Sequence, residues 1–154
     1  MDIHSAKGSI LYSWGSDDNQ TEDPQKNFRN PAYDGKRGVL GDRLYSEYIS
    51  EADLSNVKKV ATRTASAMKS ASYGERKYIA EQAVGFYPTS GSSDDYSFSR
   101  SQVDHTLNKI YGFMMEYGYQ TNFYPTLEEF QHTVMDTAAG FMEFCLAAAD
   151  IGLA

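Results

Sequence analysis

A single cysteine, Cys145, stands in a chain of 154 residues, so no disulfide can close within it. It falls in an apolar helical pattern and is expected to be a small core residue. No apolar run is long enough to span a membrane. No Lys/Arg cluster is dense enough to grip a phosphate backbone, and the net charge is −7 with a pI near 4.9. Neither a nucleic-acid nor a membrane partner is expected, and the acidic balance slightly favours cationic ligands. Compact catalytic motifs are missing too. There is no H-x-x-E, H-E-x-x-H, C-x-x-C, G-x-x-x-x-G-K-[ST] or G-x-S-x-G. Any site must be assembled from distant segments. Met1 runs directly into Asp2 and a strand-like stretch, without the pattern of a secretion signal. A chain that opens in this way is expected to be part of a longer domain.

What is present suffices for one core. Hydrophobic residues make up 41% and aromatics 14%, which excludes disorder and fits a single domain. Residues 1–3 suit the end of a buried strand. Residues 9–14, "SILYSW", form a second strand candidate. Residues 15–42 are dense in Gly, Asp, Asn and Pro without a period, as a long loop would be, and loops of that length are often functional. "NQT" at residues 19–21 matches a glycosylation sequon by pattern.

A short helix is expected around residues 41–49. A long one should start at Ser50, capped with Asp53 and buried along Leu54, Val57, Ala61, Thr64 and Met68. Residues 78–86 read as a short strand or irregular chain. Residues 87–96 read as a loop and 101–108 as one or two helical turns. Residues 110–115 are apolar like a central buried strand. A last helix opens at Pro125 and Thr126, with Glu129 completing a capping box. Its apolar line is Phe130, Val134, Ala138, Phe141, Cys145 and Ala149. Strands alternating with long helices indicate an α/β class.

Two residues stand out chemically. His4 ends the first strand, where α/β sheets place their sites, and an imidazole there can bind a metal or act as a base. Glu116 ends the apolar strand in "YGFMMEYG", where partial desolvation raises a carboxyl's pKa toward a general base's range. The plainer readings are a surface or core histidine and a solvated strand-end charge. His105 and His132 sit in polar helical patterns and read as surface residues. Asp94 and Asp95 could accept a cation, but paired acids in a Gly/Ser loop are more often solvated turn residues.

Taken together, four ordered segments resemble the zinc metallocarboxypeptidases of family M14, of the carboxypeptidase A/B/T kind. "MDIHSAKGSILYSWG" resembles the stretch with the third zinc ligand, and "NFRNPAYDGKRG" a loop of some members. "FYPTSGSSDDY" resembles the tyrosine loop, and "YGFMMEYG" the strand ending in the catalytic glutamate. The terminal helix resembles the family's closing helix. The likeness covers nearly the whole chain.

The resemblance implies an α/β fold consisting of the C-terminal half of one mixed-sheet catalytic domain, residues 1–154. It implies one Zn2+, with His4 its only ligand in this chain. Glu116 would be the general base that takes a proton from the attacking water and passes it to the leaving amine. Tyr87 would close over the substrate and Ser5 would contact the peptide. Asp94 falls where the family sets preference for the C-terminal side chain, and an Asp there implies C-terminal Lys or Arg. Met114 is expected to narrow the same pocket.

The family's Tyr after His-Ser is Ala6 here. The H-x-x-E zinc stretch and the substrate-binding arginines would lie earlier, in an N-terminal half outside these 154 residues, either a second chain of a nicked protein or a preceding part of the same molecule. The implied partners are therefore peptide C-termini and that missing half, the implied location is secreted, and the chain alone is expected to be inactive. The alternatives are a non-catalytic relic that binds rather than cleaves, and an unrelated α/β domain.

Overall fold

A computed structural model describes residues 1–73, 76–118 and 122–152. Among these, six strands and three α-helices form a mixed α/β fold, the class expected from the sequence. The main sheet has four strands: β1 (Asp2–Ser5), β2 (Ser9–Tyr12), β5 (Ile79–Gln82) and β6 (Phe113–Tyr117). Their order is β1-β6-β2-β5. β1 runs parallel to β6, β2 antiparallel to β6, and β5 parallel to β2. Two short strands, β3 (Asn19–Gln20) and β4 (Glu47–Tyr48), pair separately and pin down the long loop.

The helices are α1 (Glu51–Ala71), α2 (Ser93–Val103) and α3 (Leu127–Asp150). α1 begins where Ser50 Oγ accepts the Asp53 amide at 3.1 Å. It buries Val57, Ala61, Thr64 and Met68, while Leu54 is half-buried. That face packs on β2, β5 and α3. Ile10, Met115, Val60, Met68, Phe98 and Phe113 form the centre of the core. α3 starts with the expected capping box, in which the Thr126 side chain accepts the Glu129 amide and Glu129 accepts the Thr126 amide.

Several local expectations are corrected. β1 forms, but all four of its residues are exposed, because it is a sheet edge with nothing paired outside it among the described residues. No helix forms at 41–49. Turns lead into β4 instead, where Glu47 is needed to accept the Phe28 amide and the Tyr45 hydroxyl. α2 starts inside the expected loop, its first turn carrying Asp94 and Asp95 at the helix's positive end, and stops at Val103. β6 starts at Phe113, and Ile110 is exposed.

The apolar line of α3 does not form the core. Phe130, Val134, Ala138, Cys145 and Ala149 are exposed, and Phe141 is half-buried. Thr133, Asp136, Gly140 and Ala147 are buried in their place. Gly140 permits the close approach, because a Cβ there would crowd Met68 at 2.6 Å. Phe130 and Val134 are left on the outer side, along a groove of about 450 Å³ that also runs past Ser5, while Phe141 and Phe144 pack partly against the core. Cys145 is thus an exposed thiol. Asn19 is held by its neighbours, accepting the Trp14 amide and donating to the Ser13 carbonyl.

Candidate active site at the carboxyl ends of β1 and β6

Parallel pairing places His4 opposite Glu116 and Ser5 opposite Tyr117. Partnered residues of parallel strands share a sheet face and lie about 4.8 Å apart across the ladder. Gly8, at φ +80°, turns the chain back so that its amide donates to the Glu116 carbonyl at 2.7 Å. On its other side Glu116 is the register partner of Ser9. The backbone carrying the glutamate is therefore held from both flanks.

Glu116 is 7% exposed. Burial raises its pKa above the ordinary carboxyl value, and the positive charges of His4 and Lys7 partly offset this. His4 is exposed, and its Nε2 lies 3.1 Å from Asp2 Oδ2. Asp2 also accepts the Ser93 hydroxyl at 2.8 Å. The bonds from His4 and Ser93 hold the Asp2 carboxyl down at about 2. β1 is thereby joined to the first turn of α2, next to Asp94.

Tyr87 is 55% exposed and packs on Phe86, ring centroids 4.5 Å apart. Lys7 Nζ lies 4.2 Å over the Phe86 ring and 2.6 Å from Glu81. Lys7 thus touches the segment carrying Tyr87 and bears electrostatically on Glu116. Asp94 is buried rather than solvated, and neither carboxylate oxygen has a hydrogen-bond partner among the described residues. It lies beside Gly112, one residue before β6, in a cavity of about 230 Å³ also lined by Asp2, Ser93 and Phe113. Met114 is half-buried and is not among that cavity's lining residues. Asp95 is buried as well and accepts the Gly15 amide.

His105 is exposed, and His132 stacks on Tyr73 at 4.9 Å, away from the site. Among the described residues no group of three or more His, Cys, Asp or Glu could hold a metal.

The model of the zinc carboxypeptidase family, peptidase M14, matches residues 1–140. The chain is a member of that family. No curated protein matches it. Family members use zinc to hydrolyse peptides, so this zinc carboxypeptidase chain has a reason to bring an imidazole and a desolvated carboxylate to one sheet end.

Sequence reasoning singled out His4 and Glu116 but missed Asp2 and Lys7. Asp2 had a signal. Residues two apart on a strand share a face, so D-x-H puts an acceptor beside the imidazole. Lys7 had none, because its contacts come from a turn and a strand far apart in sequence.

Proposed function

We propose that this zinc carboxypeptidase chain supplies His4 as one zinc ligand and Glu116 as the general base for removing C-terminal residues from peptides. The observation that carries the reading is Glu116 itself, buried, raised in pKa and in register with His4 at the strand ends. The donors suit zinc in kind, being an imidazole with a carboxylate nearby. They do not suffice in number, and the sequence has no H-x-x-E to add more. The other ligands would come from the N-terminal part of the same catalytic domain, carried on the same polypeptide or on a companion one. The open edge of β1 and the uncovered stripe of α3 support such a companion, since parallel strands are ordinarily covered.

Zinc, when bound, supplies Lewis-acid polarisation of the scissile carbonyl. Glu116 takes a proton from the attacking water and returns it to the leaving amine. Tyr87, exposed on its loop, donates a hydrogen bond near the substrate's carboxylate. Ser5, beside His4, contacts the peptide, and Ala6 leaves room where the family carries Tyr. Asp94, a buried acid without a partner, selects C-terminal Lys or Arg because only a cation offsets its desolvation. The family's habit supports action outside the cell. No helix of the described residues is long and apolar enough to cross a membrane.

Native mass and zinc content test this reading. The chain alone is expected near 17.2 kDa, zinc-poor and inactive. Mixed with a polypeptide bearing the H-x-x-E stretch, it should gain about one zinc and carboxypeptidase activity. A complex with no zinc and no turnover would leave a non-catalytic binding module as the reading.

A further inference from the structure

Gly15, just past β2, is held through both of its backbone groups by the segment that carries Tyr87. Its amide donates to Asp95 Oδ1 at 3.0 Å and Oδ2 at 2.9 Å. Its carbonyl accepts the Thr89 amide at 2.7 Å. A Cβ on Gly15 would collide with Thr89 Oγ1, so glycine lets the loop approach without displacing the Thr89 side chain. The ground beneath Gly15 is firm. Trp14 is 3% exposed and packs against Phe28 and Phe98, with centroids 5.5 and 5.0 Å away. Its carbonyl accepts from the Gln82 side chain at 2.7 Å. Thr89 is two residues from Tyr87, and Asp95 opens the helix at the far end of the loop.

We infer that Asp95 is a positioning residue: by accepting the Gly15 amide it fastens the tyrosine loop to the end of β2 and fixes the base from which Tyr87 reaches the substrate. The inference rests on the reading of Tyr87 as substrate-facing. Asp95 touches no reacting atom in that reading, so its part is played through the loop.

The groups around it make the anchor sensitive to pH. Burial raises the Asp95 carboxyl first, then the charges of Asp94 on α2 and Glu47 on β4, against the Gly15 amide and the Ser13 hydroxyl, to about 7. Arg37 lines the cavity of about 590 Å³ on the outer side of the loop, together with Asp95, Trp14 and Tyr96. An amide donates a stronger bond to a carboxylate than to a carboxylic acid. The fastening therefore tightens as pH rises through neutrality.

The test uses isotope-labelled full chain and needs no turnover. The Gly15 amide proton is expected to titrate with a midpoint near 7, and to lose that titration in Asp95→Asn. Exchange protection of the Gly15 and Thr89 amides should fall about tenfold or more in Asp95→Ala. A Gly15 amide that does not titrate in the unmodified chain, or protection unchanged in Asp95→Ala, overturns the inference. Should the alanine variant not fold, the comparison with Asp95→Asn decides alone. Tyr87→Phe separates this from the reading beneath it. That variant should keep the Gly15 titration while turnover of the companion-complemented enzyme falls. Unchanged turnover would remove Tyr87 from the substrate site and overturn the inference, whatever Gly15 does.

Discussion

His4 on β1 and Glu116 on β6 are register partners in a parallel ladder, and Ser9 of β2 closes on Glu116 from the other side. The glutamate sits on an interior strand, while the histidine sits on an edge strand exposed along its whole length. Each position is set by the backbone of a sheet, which places a side chain more firmly than a loop does. The two differ in what they need. Glu116 has the burial that raises its pKa within this chain, whereas His4 lies at an open border where further ligands can join it.

That asymmetry separates base from ligand. In the zinc-loaded, companion-complemented enzyme, Glu116→Gln should lower kcat by roughly 10²–10⁴-fold, the usual worth of a general base. Zinc content should stay the same. Because burial raises the Glu116 pKa, activity should fall on the acid side at a pH above that of an ordinary carboxyl. Turnover within a few fold of the parent would remove Glu116 from that role.

Asp94 offers a test of selectivity. Its carboxylate is buried and unpartnered among the described residues, a costly arrangement unless a cation arrives. Asp94→Ala should raise kcat/KM for C-terminal apolar residues relative to Lys and Arg, on the order of 10²-fold for a desolvated charge pair. Competition between two peptides differing only in the last residue measures it. An unchanged ratio would place the determinant elsewhere.

Much of this was legible before the fold was known, and the failures have physical causes. Helical periodicity located α1 and α3, and their serine and threonine caps set the starts. The same periodicity misjudged Cys145, because a stripe of Phe130, Val134 and Phe141 shows that a face is apolar without saying what covers it. Here small residues, Gly140 and Ala147, take the inner side. Asp94 and Asp95 looked like solvated turn residues because local composition cannot report burial against Gly112, just before β6, and Gly15, beyond β2. His4 and Glu116 were visible as polar ends of apolar runs, but the ladder that pairs them joins residues more than a hundred positions apart.

Gly112 gives a second handle on the Asp94 cavity. A Cβ there would lie 2.5 Å from the Asp94 backbone, which cannot rotate away as a side chain could. Gly112→Ala should therefore shift the first turn of α2 and destabilise the fold by about 1–3 kcal/mol. Urea unfolding checks the stability. Binding of a C-terminal lysine peptide to the complemented enzyme should weaken with it. Full stability in Gly112→Ala would mean that α2 is free to move outward.

Stability against pH follows from the same acids. Asp95 holds its proton up to about 7 in the folded chain, against an ordinary value of 3.8. Between those values the folded state binds a proton that the unfolded state has released, so stability falls as pH rises through the window. Glu116, also raised, contributes in the same direction. Asp2 is lowered to about 2 and acts oppositely, its contribution being lost as pH falls from 3.8 through 2. Asp95→Asn should flatten the decline measured as Tm between about pH 4 and about pH 7. An identical slope in the variant would assign it to another group.

A buried ion pair helps to hold α3 in place. Asp136, fully buried on α3, lies 2.7 Å from Arg76 Nη1 and accepts the Tyr78 hydroxyl at 2.9 Å. Burial, then the bond to Asp136, raises the Tyr78 hydroxyl to about 12. Arg76 also donates to Thr133 at 3.0 Å, so one guanidinium ties two turns of α3 to the segment leading into β5. Asp136→Ala would remove the carboxylate that Arg76 and Tyr78 share, at a cost of about 3–5 kcal/mol. Replacing both members together, Arg76→Met with Asp136→Leu, should recover much of the loss, since a buried pair stabilises little beyond its apolar substitute. Urea midpoints of the two variants decide. A small effect of Asp136→Ala would show that the packing of α3 on α1 holds the helix without that carboxylate.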